Sequence, residues 1–183
     1  MNKRNNYTQD ICSIALMTAV TAIMAQITIP MPLGVPMTMQ TFAVTLAAVL
    51  LGSKRSAISM IIYVLLGAVG LPVFAGFNGG FQALVGPTGG FLLSFPVMAF
   101  LIGLGVKYIG KKKGVFTLML VIGTVSNYVI GVAMFCLLMK ASIATGIAAC
   151  VIPFIPTAII KAVLASVFGF KIRERLKFTM NWA

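Results

Sequence analysis

Charge is missing from long stretches of this 183-residue chain, and that absence constrains the fold more than any motif does. Nothing is charged between Asp10 and Lys54, from residue 56 to 106, or from 114 to 139, and residues 150 to 170 carry only Lys161. About 20 apolar residues in a helix cross the roughly 30 Å hydrocarbon core of a bilayer, so these runs count crossings. The first run is broken by the turn-forming segment Pro30-Met31-Pro32-Leu33-Gly34-Val35-Pro36, and the second is long enough for two helices. The sequence therefore predicts an all-α membrane protein of six transmembrane helices, near 10–30, 38–53, 56–76, 86–107, 114–139 and 150–172, forming a single transmembrane domain over 1–183. Alternation of polar and apolar residues, which a membrane β-strand requires, is lacking. The first run leads directly into a second span without a small-residue cleavage site, so it is expected to be retained as a helix.

Orientation follows from the basic residues, which collect in short cytoplasmic loops. Lys3 and Arg4 precede the first span, Lys54 and Arg55 join the second to the third, Lys107 and Lys111 to Lys113 join the fourth to the fifth, and Lys171, Arg173, Arg175 and Lys177 follow the sixth. These are 12 of the 14 basic residues. Both termini are thus expected in the cytoplasm, in the plasma or inner membrane of the cell. Lys140 closes the fifth span, where a long side chain reaches the interface. The net charge of +12 is spread over membrane boundaries instead of one soluble face, which matches anionic lipid headgroups and argues against nucleic acid.

Several chemistries are excluded by what is missing. There is no histidine, and the two carboxylates, Asp10 and Glu174, belong to the ends of the terminal spans. Acid–base catalysis within the membrane therefore has almost no candidates, and the chain does not read as an enzyme. Cys12, Cys136 and Cys150 lack metal or redox spacing and read as packing residues, so neither a metal nor a cofactor is expected. No GxxxxGK[ST] phosphate loop is present, so ATP hydrolysis by that route is not expected, and no buried carboxylate of the kind that relays protons or holds sodium is in the sequence; if transport is uphill, its energy is expected from another subunit.

Three features stand out against this background. Lys161 lies midway along the last span, where an ammonium costs about 2.5–3.5 kcal/mol on insertion scales unless something pairs with it. A lysine with no carboxylate at its depth is a natural receptor for a carboxylate arriving with a ligand; the alternative is that it snorkels outward or sits deprotonated among carbonyls. Residues 67–90 hold 8 of the 18 glycines and cannot be regular helix throughout. This segment is expected to cover the outer mouth of the bundle, with Asn78, Gln82 and Thr88 bonding a polar ring and Phe74, Phe77, Phe81 and Phe91 packing on its apolar faces; the alternative is a plain connecting loop. Ala15, Ala19 and Ala22 form a shallow stripe suited to close helix approach, either inside the bundle or to a separate subunit.

The run Gly70-Leu71-Pro72-Val73-Phe74-Ala75-Gly76 followed by Gly86-Pro87-Thr88-Gly89-Gly90-Phe91 resembles the signature of the BioY family, the biotin-binding S components of energy-coupling factor (ECF) transporters. The resemblance extends along the chain, through Val35-Pro36-Met37-Thr38-Met39-Gln40 and Pro153-Phe154-Ile155-Pro156 leading to Lys161. It implies an S component that captures biotin from outside and works with a transmembrane coupling protein and two cytoplasmic ATPases. The stripe at Ala15, Ala19 and Ala22 is then the docking surface for the coupling subunit. Biotin has one carboxylate, a ureido group and an apolar bicyclic body; Lys161 would take the carboxylate or complete the polar end of the pocket, Asn78 and Gln40 would face the ureido group, and Thr38 would be a further substrate-binding residue. Two departures stand out: Ala158 replaces an acid three positions before the lysine, and Phe91 replaces a tyrosine.

The rival reading is a self-sufficient channel or facilitator for a small carboxylate-bearing solute, using the same lysine as an attractor. A facilitator equilibrates its solute alone in liposomes, whereas an S component co-purifies with a coupling protein and ATPases.

Overall fold

The computed structural model describes residues 3–31, 34–108 and 114–176. Lys111 to Lys113 and Lys177, used above for orientation, lie outside the described residues. The elements in order are α1 (Lys3–Gln26), a two-stranded ribbon of β1 (Thr28–Ile29) and β2 (Met37–Thr38), α2 (Gln40–Ala68), a 3-10 turn (Ala75–Phe77), α3 (Phe81–Leu84), α4 (Gly89–Val106), α5 (Val115–Met139), α6 (Ile143–Cys150), a second 3-10 turn (Ile152–Phe154) and α7 (Ile155–Leu176). Among the described residues, five stretches are long and apolar enough to cross a membrane.

One of those five is a folded-back pair. Gly52 sits in the middle of α2 with φ 74° and ψ −172°, which an L side chain rarely adopts. Gln40 and Tyr63, 23 residues apart, are joined by a 2.7 Å hydrogen bond. In a straight helix at 1.5 Å per residue they would stand about 34 Å apart, so the two arms of α2, residues 40–51 and 53–68, run antiparallel. These arms are the second and third helices expected from the sequence, and counting them separately gives six long helical arms among the described residues. The backbone reversal at a single glycine hides the pair within one helical element.

Two of the boundaries that differ from expectation have a clear local cause. The third helix ends at Ala68 instead of residue 76: the Gly70 amide bonds the Gly67 carbonyl and the Leu71 amide bonds the Leu66 carbonyl, a Schellman closure with Gly70 at φ 103° and Pro72 just beyond. The first helix ends at Gln26 instead of residue 30, because Thr28 and Ile29 pair with Thr38 and Met37 across the proline-rich turn. That pairing is also a small exception to an all-α fold.

α2 is the centre of the molecule, packing on α1, α4 and α7, while α5 packs on α4. Its face of Ala43, Val44, Ala47 and Ala48 is fully buried, and the core continues through Met60, Tyr63, Met98 and Ile102. By contrast, Leu16, Ile23, Leu118 and Val129 of α1 and α5 are exposed, the arrangement expected where lipid is the solvent. Two polar contacts fix one end of the bundle. Asp10 pairs with Arg55 at 3.0 Å, and Arg173 donates to the Val49 carbonyl at 2.7 Å, capping the first arm of α2 just before Gly52. The early part of α1, the Gly52 turn and the late part of α7 therefore share one end, and both carboxylates of the chain are there.

Candidate functional site

Lys161 lies 12 residues before Arg173 on α7, about 18 Å along the axis from the end that holds Asp10 and Glu174. It is 8% exposed, and its Nζ donates to the Thr38 carbonyl at 2.9 Å. The carboxylates among the described residues, Asp10 and Glu174, both lie at that far end, Asp10 paired with Arg55, so neither reaches the amine. The amine instead borders a cavity of about 480 Å³, within the usual range of small-molecule sites. Its walls come from the ribbon, the start of α2, the segment 74–88, the start of α4, the middle of α5, Cys150, Phe154 and Lys161 itself.

A hydrogen-bonded chain organises the wall beside the lysine. Thr38 Oγ1 donates to Gln40 Oε1 at 2.8 Å, Gln40 Nε2 donates to Tyr63 Oη at 2.7 Å, and Tyr63 Oη donates to the Val73 carbonyl at 2.9 Å. Tyr63 is fully buried, so it ties the second arm of α2 to the glycine-rich segment without solvent competition. Further anchors hold that segment. Phe74, 2% exposed, meets Tyr63 edge-on with centroids 5.6 Å apart, and its ring fills the space that a Cβ at Gly67 would need. Gln26, at the end of α1, donates to the Ala22 carbonyl at 3.0 Å and the Phe74 carbonyl at 3.1 Å, and it accepts from the Phe77 amide at 2.8 Å. Asn78 Nδ2 donates to the Ala75 carbonyl at 2.8 Å.

The residues singled out in the sequence are brought together. Lys161, Asn78, Gln40 and Thr38 line the one cavity, and so do Gln82, Thr88, Phe74 and Phe91. One expectation needs correction. Phe77 and Phe81 are 72% and 67% exposed and do not line it, because the turn at Ala75–Phe77, with Gly76 at φ 68°, points the chain outward there. Gln40 lines the cavity on the wall that Thr38 shares with the lysine, and its side-chain amide makes two bonds there. Tyr63, Asn127, Tyr128, Phe95, Cys150 and Phe154 were not picked out by the sequence reasoning as site residues. Asn127 and Tyr128 had a legible signal: polar residues inside a charge-free span are costly and mark sites.

Residues 1–178 match the profile of the BioY family. The chain belongs to the BioY family. A relative from Pyrococcus horikoshii named "Probable biotin transporter BioY" is 40% identical over 172 residues, 92% of this chain and 96% of the relative. The biotin transporter BioY of Thermotoga maritima is 39% identical over 162 residues, 87% of this chain and 92% of the relative. Among solved structures, the S-component for biotin from an ECF-type ABC transporter superposes with a TM-score of 0.84 at 29% identity, covering 95% of both chains. The chain thus shares the fold of that S-component, and its cavity is lined by the segment 74–88 with no lining residue near Gly52.

A second surface of this BioY chain faces away from the cavity. Ala15, Ala19 and Ala22 of α1 form an apolar groove of about 640 Å³ with Ile58, Ile62 and Leu66 of α2. Beneath it, Thr18 and Ser59 hydroxyls meet at 3.0 Å and Ser59 Oγ donates to the Ile14 carbonyl at 3.1 Å, which locks α1 onto the second arm of α2. Tyr63 and Val73 line this groove as well as belonging to the chain of bonds at the cavity wall.

Proposed function

We propose that this chain is the substrate-capture (S) component of an ECF-type ATP-driven vitamin importer and that it binds biotin in the Lys161 cavity from the outer face of the plasma membrane. The observation that carries the reading is a buried ammonium bordering a cavity of ligand size with no carboxylate of the described residues within reach. The valerate carboxylate is placed at Lys161 and supplies the missing countercharge, a charge-assisted hydrogen bond in a site of low dielectric constant. Asn78, Gln82 and Thr88 face the ureido group, Gln40 and Thr38 complete the wall at the carboxylate, and Phe91 with Phe95 encloses the bicyclic body. Phe74 acts one step back, by holding the segment that closes over the ligand.

Transport is carried by partners. The groove at Ala15, Ala19 and Ala22 takes a transmembrane coupling protein, which joins the chain to two cytoplasmic ATPases; both termini face the cytoplasm. The test is isothermal calorimetry of the purified protein with biotin and with biotinol, in which an alcohol replaces the carboxylate. Biotin is expected to bind with 1:1 stoichiometry and biotinol at least about 30-fold more weakly, from losing one side of a buried charge pair. Absence of biotin binding, or equal affinity for the two compounds, refutes the reading.

A further inference from the structure

One helical turn from the biotin cavity, a second and much smaller pocket of about 10 Å³ lies between α2, α4, α5 and α7. Its lining repeats at helical spacing: Thr41 and Thr45 on α2, Thr124, Asn127 and Tyr128 on α5, and Ala158, Lys161 and Ala162 on α7. Six of those eight residues are polar, and Met98 on α4 completes the lining. The volume is about what a single water needs, so what the pocket can hold is decided by its donors and acceptors.

The hydrogen bonds already made determine what remains. Thr45 donates its hydroxyl proton to the Thr41 carbonyl at 2.9 Å, and Thr124 donates to the Leu120 carbonyl at 2.8 Å, so each offers lone pairs only. Asn127 Nδ2 donates to Ser94 Oγ at 2.6 Å and to the Phe91 carbonyl at 3.2 Å. Ser94 gives its own proton to the Phe91 carbonyl at 2.8 Å, which fixes the orientation of the Asn127 amide and leaves Oδ1 as an acceptor. On the donor side, Lys161 makes one bond with three N–H groups, and Thr41 Oγ1 is buried without a partner among the described residues. A halide would meet three sets of lone pairs, and a metal cation would meet the ammonium. A neutral molecule that both accepts and donates, such as water, can meet groups of both kinds, though it donates to no more than two of the acceptors.

We propose that this pocket is a binding site for one ordered water, which accepts from Lys161 Nζ and joins Thr41 Oγ1 to the lone pairs of Asn127. The water hydrates the ammonium at the position beside Ala158, where this chain has no acid to do so. If biotin is the ligand, its carboxylate approaches Lys161 from the large cavity while the water holds the amine from behind, and this consequence alone rests on the functional reading above.

The decisive variant is Thr41→Val, which preserves shape and removes one hydroxyl. Thermal unfolding of the ligand-free protein in detergent reads the outcome. With the water in place the substitution removes one of its partners, and the melting temperature is expected to fall by about 2–6 °C. In a dry pocket the same substitution removes a buried hydroxyl with no partner, and the melting temperature rises; a rise or no change overturns the proposal. Should Thr41→Val not fold, a density map of the wild type that resolves other buried waters decides, by showing or lacking a solvent peak within hydrogen-bond distance of Lys161 Nζ. Both measurements use protein without ligand, so failure to bind biotin leaves them interpretable.

Discussion

Lys161→Met separates a residue kept for function from one kept for stability, because the two roles predict changes of opposite sign. Methionine has nearly the same length and removes the charge. An unpaired ammonium at membrane depth costs about 2.5–3.5 kcal/mol, and here it recovers part of that through one bond to the Thr38 carbonyl. A hydrogen bond involving a charged group is worth about 1.5–3 kcal/mol, so replacing the lysine is expected to leave the ligand-free protein about 1 kcal/mol more stable. For a chain of this size that raises the melting temperature by about 2–4 °C. Biotin affinity moves the other way, by about 2–5 kcal/mol, the loss that follows removal of one member of a desolvated charge pair, or about 30-fold to several thousand-fold. Calorimetry with biotin and biotinol on both proteins closes a thermodynamic cycle: biotinol is expected to lose little further when the lysine is gone. A variant that melts more than about 4 °C lower while keeping affinity within about threefold would show that the lysine holds the structure and not a ligand.

Three further outcomes test the surroundings of the site. Gly67→Ala drives a methyl into the Phe74 ring; an overpacked contact costs about 1–3 kcal/mol, so a lower melting temperature and at least about tenfold weaker biotin binding are expected, and unchanged values refute the anchoring role of Phe74. Cys150 lines the cavity, so in a Cys12→Ser, Cys136→Ser background its alkylation by a small maleimide is expected to slow at least about tenfold in saturating biotin, while unchanged rates place the ligand elsewhere. Ala19→Trp fills the apolar groove; co-purification of the coupling protein is expected to be lost while biotin affinity in the isolated chain stays within about threefold, and intact co-purification rules out that surface.

The long helical arms were legible because lipid imposes a simple requirement: each crossing needs a charge-free run, and the interruptions of charge and proline divide the runs. Where a helix stops inside such a run is a local matter. The Schellman closure at Gly70 ends the third arm eight residues short of the hydrophobic signal, since apolar residues such as Leu71, Val73 and Phe74 continue past it. Gly52 shows the converse, for nothing in its neighbourhood except Lys54 and Arg55 announces a complete reversal. Positive charge there does double duty, marking the membrane boundary and pairing with Asp10 across to α1.

The site was legible to the extent that a polar residue in a membrane span is expensive. Lys161 is the extreme case, and the glycine-rich segment advertised itself through backbone freedom, so both could be read before any coordinates. Asn127 carries the same kind of signal in a quieter form, an amide within a span of 25 residues that holds no charge, and it proves to be 3% exposed with both amide protons engaged. Phe77, Phe81 and Phe74 show where residue type alone fails. All three are aromatic and lie within eight residues, yet the positive φ at Gly76 and Phe77 turns the chain so that Phe74 faces Tyr63 while Phe77 faces outward. The side of the loop that meets a ligand is decided by that backbone turn together with the three bonds of Gln26, a residue 48 positions earlier than Phe74. Tyr63 extends the same reasoning to the rest of the molecule. Its hydroxyl holds the cavity wall and its ring lines the α1 groove, so a shift of Gln40 on ligand binding has a packed path to the surface proposed for docking.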